Sequence, residues 1–106
     1  HYPTLEVVSG SADPAGFDIV VNATPLGMKA GDPLPINVER IPPHAYVGEV
    51  VLSAEVTPFL AAARARGCQG QGGLDMLYEQ IPAYLAYFDL PVATPGQLRA
   101  LADPMA

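Results

Sequence analysis

Cationic residues and cysteine are scarce in this sequence, and their scarcity excludes several classes of protein. Only 5 of the 106 residues are Lys or Arg, against 11 Asp or Glu, so the formal net charge is −6. An acidic chain has no electrostatic reason to bind phosphate backbones, and a nucleic-acid partner is therefore not expected. The one cysteine, Cys68, cannot form an internal disulfide or a zinc site, so no metal site is predicted.

Long apolar runs are also missing, although half of the residues are hydrophobic. No run approaches the roughly 20 residues that a membrane-spanning helix needs, and no charged segment leads into an apolar stretch as in a secretory signal. These absences predict a reduced, cytoplasmic protein without a membrane partner. The apolar content is ample for a folded core, and a chain of 106 residues is either one small domain or a piece of a larger one.

Short apolar runs alternate with helical patterns along the chain. Thr57 and Thr94 each precede a proline, which is the pattern of an N-cap followed by proline in the first helical turn. The unbroken apolar run of residues 17–22 indicates a strand that is buried on both faces of a sheet. The order of elements predicts an α/β fold with a parallel sheet, flanking helices and C-terminal helices. The predicted elements are strands at 5–8, 17–22, 46–52 and, weakly, 68–71, and helices at 57–66, from 72 or 73 to about 88, and 94–102.

The second predicted helix carries three distinct stripes. Helical spacing places Asp75 and Glu79 away from its apolar stripe, so both are expected to be solvated. Pro82 removes one backbone hydrogen bond and is expected to kink the helix. The third stripe is semi-polar, with one amide and two phenols, which is typical of a cleft or a domain interface. The apolar stripe comprises Leu74, Leu77, Tyr78, Ile81, Leu85 and Phe88, and the semi-polar stripe comprises Gly73, Met76, Gln80, Tyr84 and Tyr87.

Two short segments are candidates for contact with a ligand. Residues 22–28 follow a predicted strand directly, and ligands of doubly wound folds bind at the carboxyl ends of strands. Residues 72–76 open a helix with two glycines, which would bring bare backbone against a ligand. Ordinary turn chemistry also explains both compositions. Neither a GxGxxG nor a GxxxxGKS/T motif is present, so the residues themselves give no argument for phosphate binding.

Three motifs in register resemble the shikimate dehydrogenase family. They are residues 17–28 (FDIVVNATPLGM), residues 57–60 (TPFL) at a helix start, and residues 72–80 (GGLDMLYEQ). The resemblance implies the C-terminal half of a Rossmann-like NADP-binding domain, from enzymes that also have an N-terminal substrate domain. These enzymes interconvert 3-dehydroshikimate and shikimate by hydride transfer. The resemblance thus implies NADP, or else NAD, as the cofactor and a small hydroxy acid as the substrate.

The same resemblance assigns roles to individual residues. Gln80 would bind the hydroxyls of the substrate, Val50 would lie near the nicotinamide, and Gly73 with Met76 would hold the nicotinamide ring. Residues 22–24 would line the adenosine and ribose end of the cofactor. The implied cofactor-binding residues are Asn22, Ala23, Thr24, Leu26, Val50, Gly73 and Met76.

Two departures from the family pattern concern the substrate. The family usually has Asp-x-x-Tyr-x-Pro where this chain has residues 49–54 (EVVLSA), so Leu52 replaces the tyrosine that helps to bind shikimate. Asp75 replaces the glycine that precedes the methionine. Both departures point to a paralogue that acts on quinate or a related hydroxy acid.

The family's catalytic Lys and Asp, and its Gly-rich loop, have no counterpart in residues 1–106. Lys29, the only lysine, does not match the catalytic position. The chain is therefore expected to be inactive alone, as the second half of a dinucleotide domain without its N-terminal substrate domain. A rival hypothesis is a non-catalytic acidic α/β binding or interaction domain.

The family fold also predicts an open sheet edge. In a sheet of strand order 3-2-1-4-5-6, residues 5–8 would form strand 3 and residues 17–22 strand 4, with strands 1 and 2 missing between them. An apolar strand left at an edge is a template for pairing with another chain. We therefore expect residues 5–8 to be displaced, or residues 17–22 to pair across a homodimer through the exposed sheet edge. The alternative is that the chain is a proteolytic or truncated remnant whose missing half is present in solution.

Overall fold

A three-stranded parallel sheet organises the fold. The computed structural model describes residues 3–102, and its sheet has the strand order β1-β2-β3 with both neighbouring pairs parallel. This topology confirms the predicted α/β class. The strands are β1 (Ile19–Asn22), β2 (Tyr46–Glu49) and β3 (Gln69–Gln71), and the helices are α1 (Pro58–Ala65), α2 (Gly73–Tyr87) and α3 (Pro95–Ala102), with a 3₁₀ helix at Val38–Arg40.

The register of the sheet brings the carboxyl ends of its strands level with one another. Asn22, the last residue of β1, lies opposite Glu49, the last residue of β2. Gly48 of β2 lies opposite Gln71, where β3 ends. Because parallel strands end at the same edge of a sheet, the residues that follow them meet there. This edge holds the candidate site.

Helix α1 covers one face of the sheet and forms the core with it. The Thr57 hydroxyl accepts a hydrogen bond from the N–H of Leu60 at 3.2 Å, and Pro58 is the first helical residue. Gly67 follows the helix with a φ of 91°, a left-handed conformation that commonly ends helices. These local signals explain why the prediction for residues 57–66 is confirmed. The core consists of Val38, Ile41, Ala45, Val47, Phe59, Leu60, Ala63 and Cys68.

The opposite face of the sheet is uncovered, and the prediction that residues 17–22 are buried on both faces is wrong. Ile19 and Val21 are 68% and 56% exposed, whereas Val20 between them packs against the core. β1 therefore alternates like a strand with one covered face. Its continuous apolar run belongs to a surface that nothing in residues 3–102 covers.

Residues 5–8 do not form the predicted strand. The sheet has β1 at its edge, and Leu5, Val7 and Val8 are all exposed. A strand needs a neighbour that receives its backbone hydrogen bonds, and an alternating apolar pattern does not supply one. The segment thus lies outside the sheet, which is the first of the two outcomes expected from the missing strands.

Helices α2 and α3 pack mainly on each other. Gly73 is the only buried residue of α2, and α3 has none, so the apolar stripe of α2 is at most half-buried. Phe88, at the end of that stripe, is exposed. The Arg99 guanidinium of α3 lies 3.1 Å from the Asp75 carboxylate and 5.2 Å from the centre of the Tyr78 ring. Arg99 thus lies over one member of the apolar stripe, Tyr78, and the stripe stays half-buried from residue 74 to residue 85.

Helix α2 is the longest helix, with 15 residues, and it continues through Pro82. A proline there leaves the carbonyl four residues earlier without its helical partner.

Among residues 3–102, no helix has the length and apolar character needed to cross a membrane.

Candidate functional site

A buried amide lies where β1 ends. The Asn22 side chain is 3% exposed, and its Nδ2 donates to Glu49 Oε1 at 2.8 Å and to the Leu26 carbonyl at 3.0 Å. Its Oδ1 accepts from the N–H of Thr24 at 3.1 Å and from the Thr24 hydroxyl at 2.6 Å. Both donors and both acceptor positions of the amide are thus used within the protein. Asn22 thereby fixes the start of the loop formed by residues 23–28.

A buried carboxylate lies beside it, where β2 ends. Glu49 is also 3% exposed, and its Oε1 accepts from the N–H groups of Val50 at 3.1 Å and Val51 at 3.3 Å. Its Oε2 accepts from the hydroxyl of Thr57, the N-cap of α1, at 3.1 Å. Glu49 and Thr57 are absent from the predicted site. The signal in the sequence is a charged residue that ends an apolar strand and precedes an N-cap threonine by eight residues.

The loop after β1 lies on the surface and is held by backbone turns. Ala23 and Thr24 are exposed, and Leu26 is half-buried. Gly27 has a φ of 106°, a conformation that favours glycine. The Asp32 carboxylate accepts the N–H of Gly27 at 3.0 Å and so closes the loop. Residues 23–24 are therefore accessible at the carboxyl edge of the sheet.

A cleft of about 250 Å³ separates this loop from the start of α1. Leu26, Leu34 and Phe59 contribute apolar surface to it. At its rim the Ser53 hydroxyl donates to the Gly27 carbonyl at 3.2 Å. A mostly apolar cleft with a few fixed polar groups suits a flat or apolar ligand group.

The start of α2 touches the end of β2 backbone to backbone. A Cβ atom on Gly73 would lie 2.6 Å from the carbonyl oxygen of Val51 and 2.7 Å from that of Val50, and real Cβ atoms do not approach so closely. The Val50 N–H also donates to the Asn22 carbonyl at 3.2 Å. Asn22, Val50 and Gly73 therefore meet at one edge of the sheet, and only glycine at position 73 permits this approach.

Met76 and Gln80 continue from Gly73 along α2. Spacings of three and four residues place them on one side of the helix, and both are half-buried. The Tyr84 hydroxyl donates to Gln80 Oε1 at 3.1 Å. Because Oε1 is the acceptor in this hydrogen bond, the NH₂ group of Gln80 remains as the donor on this side of α2.

Two structural features would favour the rival hypothesis of an interaction domain. They are packing of residues 22–28 inside a core and solvation of the stripe that contains Met76 and Gln80. In that segment only Asn22 is buried, and Met28 is exposed. Met76 and Gln80 are half-buried rather than solvated. Residues 22–28 therefore give the rival no support, whereas the stripe is half-buried at Met76 and Gln80 and exposed at Tyr84 and Tyr87.

The Asn22 amide and the Glu49 carboxylate are already paired within the protein, so they shape this edge rather than contact a ligand. A ligand there would meet the exposed residues 23–24 and the half-buried Met76 and Gln80. Residues 3–102 contain no group of three His, Cys, Asp or Glu side chains that could hold a metal ion. Cys68 lies in the core, 3.5 Å from the Pro42 carbonyl, and His44 lies in an exposed loop beside Asp18.

The chain is similar in sequence to shikimate dehydrogenases. It is 42% identical over 94 residues to shikimate dehydrogenase (NADP(+)) of Acidiphilium cryptum, which covers 87% of this chain and 34% of the relative. For the enzyme of the same name from Nitrobacter winogradskyi, identity is 41% over 86 residues, or 80% of this chain and 31% of the relative. The chain thus spans about a third of the length of the curated relatives that it matches. No family model matches it.

The fold is similar to solved dehydrogenase structures. Quinate dehydrogenase from Corynebacterium glutamicum, in complex with NAD, superposes with a TM-score of 0.64 at 35% identity, over 74% of this chain and 28% of that chain. Shikimate dehydrogenase from Aquifex aeolicus gives 0.66 at 29% identity, over 81% and 32%. These matches confirm the expected Rossmann-like fold. Since sequence and fold agree, this chain belongs to the shikimate dehydrogenase family.

Proposed function

We propose that this chain is the second half of the dinucleotide-binding domain of an NADP-dependent dehydrogenase. The enzyme would interconvert 3-dehydroshikimate and shikimate, or a related hydroxy acid pair, by hydride transfer. The observation that carries this proposal is the meeting of Asn22, Val50 and Gly73 at the carboxyl edge of a parallel sheet, where doubly wound folds bind dinucleotides. The 42% identity to a shikimate dehydrogenase supports the same reaction class.

The residues at this edge fit the nicotinamide and ribose parts of a dinucleotide. Ala23 and Thr24 offer exposed backbone, and Val50 and Met76 offer half-buried apolar side chains. A flat, neutral ring packs well against such groups. Phosphates instead need a glycine-rich loop, which residues 1–106 do not contain. The bound cofactor supplies or accepts the hydride, and these residues hold and orient it.

NADP is the preferred cofactor of this proposal. The two sequence relatives carry NADP(+) in their names, whereas the related quinate dehydrogenase was solved with NAD. A 2′-phosphate is usually held by a basic side chain, and none of the proposed site residues is basic. The choice between the two cofactors would therefore be made by residues outside this site.

Gln80 is proposed to bind a hydroxyl group of the substrate. Because its Oε1 accepts from Tyr84, its NH₂ group is oriented to donate to a hydroxyl oxygen. A polar group built to pair with a substrate hydroxyl contributes strongly to specificity. Leu52 is exposed at the position where the family usually has a shikimate-binding tyrosine. This difference supports quinate or another hydroxy acid as an alternative substrate.

The remaining parts of the enzyme would come from outside residues 1–106. The chain spans about a third of its relatives, and the uncovered sheet face with Ile19 and Val21 is where the first half of the domain would pack. The Gly-rich loop, the catalytic Lys and Asp and the N-terminal substrate domain belong to that remainder. The proposal includes a cytoplasmic location, where the free thiol of Cys68 stays reduced.

Assay of the complete gene product that contains this chain tests the proposal. The purified product is expected to form NADPH from NADP⁺ when shikimate is the substrate. Quinate is assayed as the alternative substrate and NAD⁺ as the alternative cofactor. The 106-residue chain is expected to be inactive in the same assay, because hydride transfer needs an acid–base group at the reacting oxygen. Absence of activity with every combination would refute the proposed reaction. Activity of the 106-residue chain would refute the division between this half and the remainder.

A further inference from the structure

The buried carboxylate of Glu49 receives four hydrogen bonds that divide unequally between its two oxygens. Oε1 accepts from Asn22 Nδ2 and from the N–H groups of Val50 and Val51, at 2.8, 3.1 and 3.3 Å. Oε2 accepts from the Thr57 hydroxyl at 3.1 Å. We call these the loop arm and the helix arm of Glu49.

A carboxylate is retained in the protein interior only when other donors replace its lost water. None of the ion pairs within residues 3–102 includes Glu49. Its four neutral donors therefore provide all of this replacement. Because each donor must stay within hydrogen-bond distance of the buried carboxylate, Glu49 fixes the positions of the four donor groups with respect to one another.

The loop arm reaches both walls of the proposed cofactor site. On one side it holds Asn22, whose amide in turn binds the N–H of Thr24 and the carbonyl of Leu26. On the other side it holds the backbone turn at Val50, against which Gly73 packs. One oxygen atom thus links the loop after β1 to the turn after β2, beside the backbone hydrogen bond from the Val50 N–H to the Asn22 carbonyl.

We propose that Glu49 is a positioning residue for the dinucleotide site, acting through the loop arm. The inference rests on the proposed function, since it concerns the cofactor of that same site. The helix arm has a different consequence, because Thr57 lies at the N-cap of α1. Loss of the helix arm lowers stability and leaves the site walls in place.

Four variants of the complete gene product separate the two arms. Glu49→Met keeps the length of the side chain and removes both acceptors, whereas Glu49→Gln keeps one carbonyl oxygen for the loop arm. Thr57→Val removes the helix arm, together with the N-cap hydrogen bond from the Leu60 N–H, and keeps the loop arm. Ile41→Val, in the core away from the network, is the control for lost stability alone. If the Glu49→Met protein does not fold, Glu49→Ala is used in its place. The small alanine side chain admits water to the four donor groups.

The first measurement is the dissociation constant of NADPH, by calorimetric titration. We expect Glu49→Met to bind roughly tenfold more weakly, as misplaced site walls do, and Glu49→Gln to recover most of the affinity. Thr57→Val and Ile41→Val are expected to lower the melting temperature and to leave the dissociation constant unchanged. Equal affinity of Glu49→Met and Ile41→Val, or equal weakening by Thr57→Val, overturns the proposal.

The second measurement needs no nucleotide. Amide hydrogen exchange at Thr24, Val50 and Val51 is expected to accelerate in Glu49→Met and to stay slow in Thr57→Val. Unchanged exchange in Glu49→Met overturns the positioning role, whatever the protein binds. If the variants show these exchange effects but the wild-type protein binds neither NADPH nor NADH, the positioning role stands and the proposed function is overturned. The two failures are therefore distinguishable.

Discussion

At the scale of single residues, Gly73 sets the distance between α2 and the end of β2. A Cβ atom there would press on the carbonyl groups of Val50 and Val51, which are backbone atoms and cannot rotate aside. Gly73→Ala is therefore expected to lower the free energy of unfolding by about 1–3 kcal/mol, the usual cost of overpacking. Urea denaturation of the complete gene product measures this change.

Gly96 provides the matched control for that substitution. It lies in α3, and its Cβ atom would meet only the Thr94 hydroxyl oxygen, at 4.0 Å. Gly96→Ala is expected to raise the free energy of unfolding by roughly 0.5–1 kcal/mol, because alanine is the better helix former. If both variants were stabilised alike, the close contact at Gly73 would not exist in solution.

Gln80 is the residue for which the proposed function makes the sharpest kinetic prediction. Gln80→Ala in the complete gene product is expected to lower kcat/KM for the hydroxy acid. The expected decrease corresponds to a loss of roughly 1–3 kcal/mol of transition-state stabilisation, since a polar group at the site loses its partner. The affinity for NADPH is expected to change little. Steady-state kinetics at saturating cofactor measures the effect.

Glu79→Ala is the control, because Glu79 precedes Gln80 on the chain and lies on the side of α2 that faces Arg99. Its kinetic constants are expected to match those of the unaltered protein. If Gln80→Ala behaved in the same way, Gln80 would be an ordinary surface residue.

At the scale of elements, one ion pair fastens the segment before β1 to the 3₁₀ helix before β2. Arg40 donates from Nε and Nη2 to the two carboxylate oxygens of Asp13, at 2.7 and 3.0 Å. This pairing, with a further hydrogen bond from the N–H of Ala15, lowers the pKa of Asp13. Because the pKa is lower in the folded state, the pair stabilises the fold at neutral pH. That contribution is lost as the pH falls through the lowered pKa.

Arg40→Met is expected to return the pKa of Asp13 towards its ordinary value. An NMR titration of the Asp13 carboxyl group measures this shift. Arg64→Met, on the exposed side of α1, removes the same charge elsewhere and is expected to leave the titration unchanged. A pKa that stays low in Arg40→Met would mean that backbone hydrogen bonds alone hold it there.

The elements also differ in how far the sequence alone predicts them. The limits of α1 follow from neighbouring residues, since Thr57 caps it and Gly67 ends it. Residues 5–8 have an equally clear strand pattern, but a strand depends on a distant partner that local pattern does not reveal. The two-faced burial predicted for residues 17–22 fails for the same reason, because an apolar run does not reveal whether any element covers its second face, and none within residues 3–102 does.

The residues of the candidate site also differ in whether the local sequence predicts them. Asn22 and Gly73 belong to short motifs that are legible in the sequence, and the structure brings both to the sheet edge. The role of Glu49 depends instead on the sheet register, which places it opposite Asn22. No spacing rule within one segment predicts a contact set by register between two strands.

At the scale of the whole molecule, an uncovered apolar surface is the main liability of the 106-residue chain. Phe17, Ile19 and Val21 are exposed on and beside the edge strand. An apolar edge strand promotes pairing with another chain. We expect the isolated chain to self-associate through this surface, which light scattering with intact mass measures.

Val21→Lys is expected to shift the isolated chain to a monomer of 11.1 kDa, since a charge on the edge strand opposes pairing. Val7→Lys, which adds the same charge to the exposed segment outside the sheet, is the control and is expected to leave self-association unchanged. A wild-type chain that is monomeric at high concentration would contradict this prediction.

The parallel arrangement of the three strands also determines how this chain folds. Asn22 and Glu49 face each other although they lie 27 positions apart in the sequence, so this strand pair does not form as a local hairpin. Contacts at such separation form slowly, because the intervening chain must be closed into a loop before any of them is gained. During synthesis β1 leaves the ribosome before β2 exists to receive it. Until β2 pairs with it, its apolar residues stay exposed, and exposed strand edges of this kind promote aggregation.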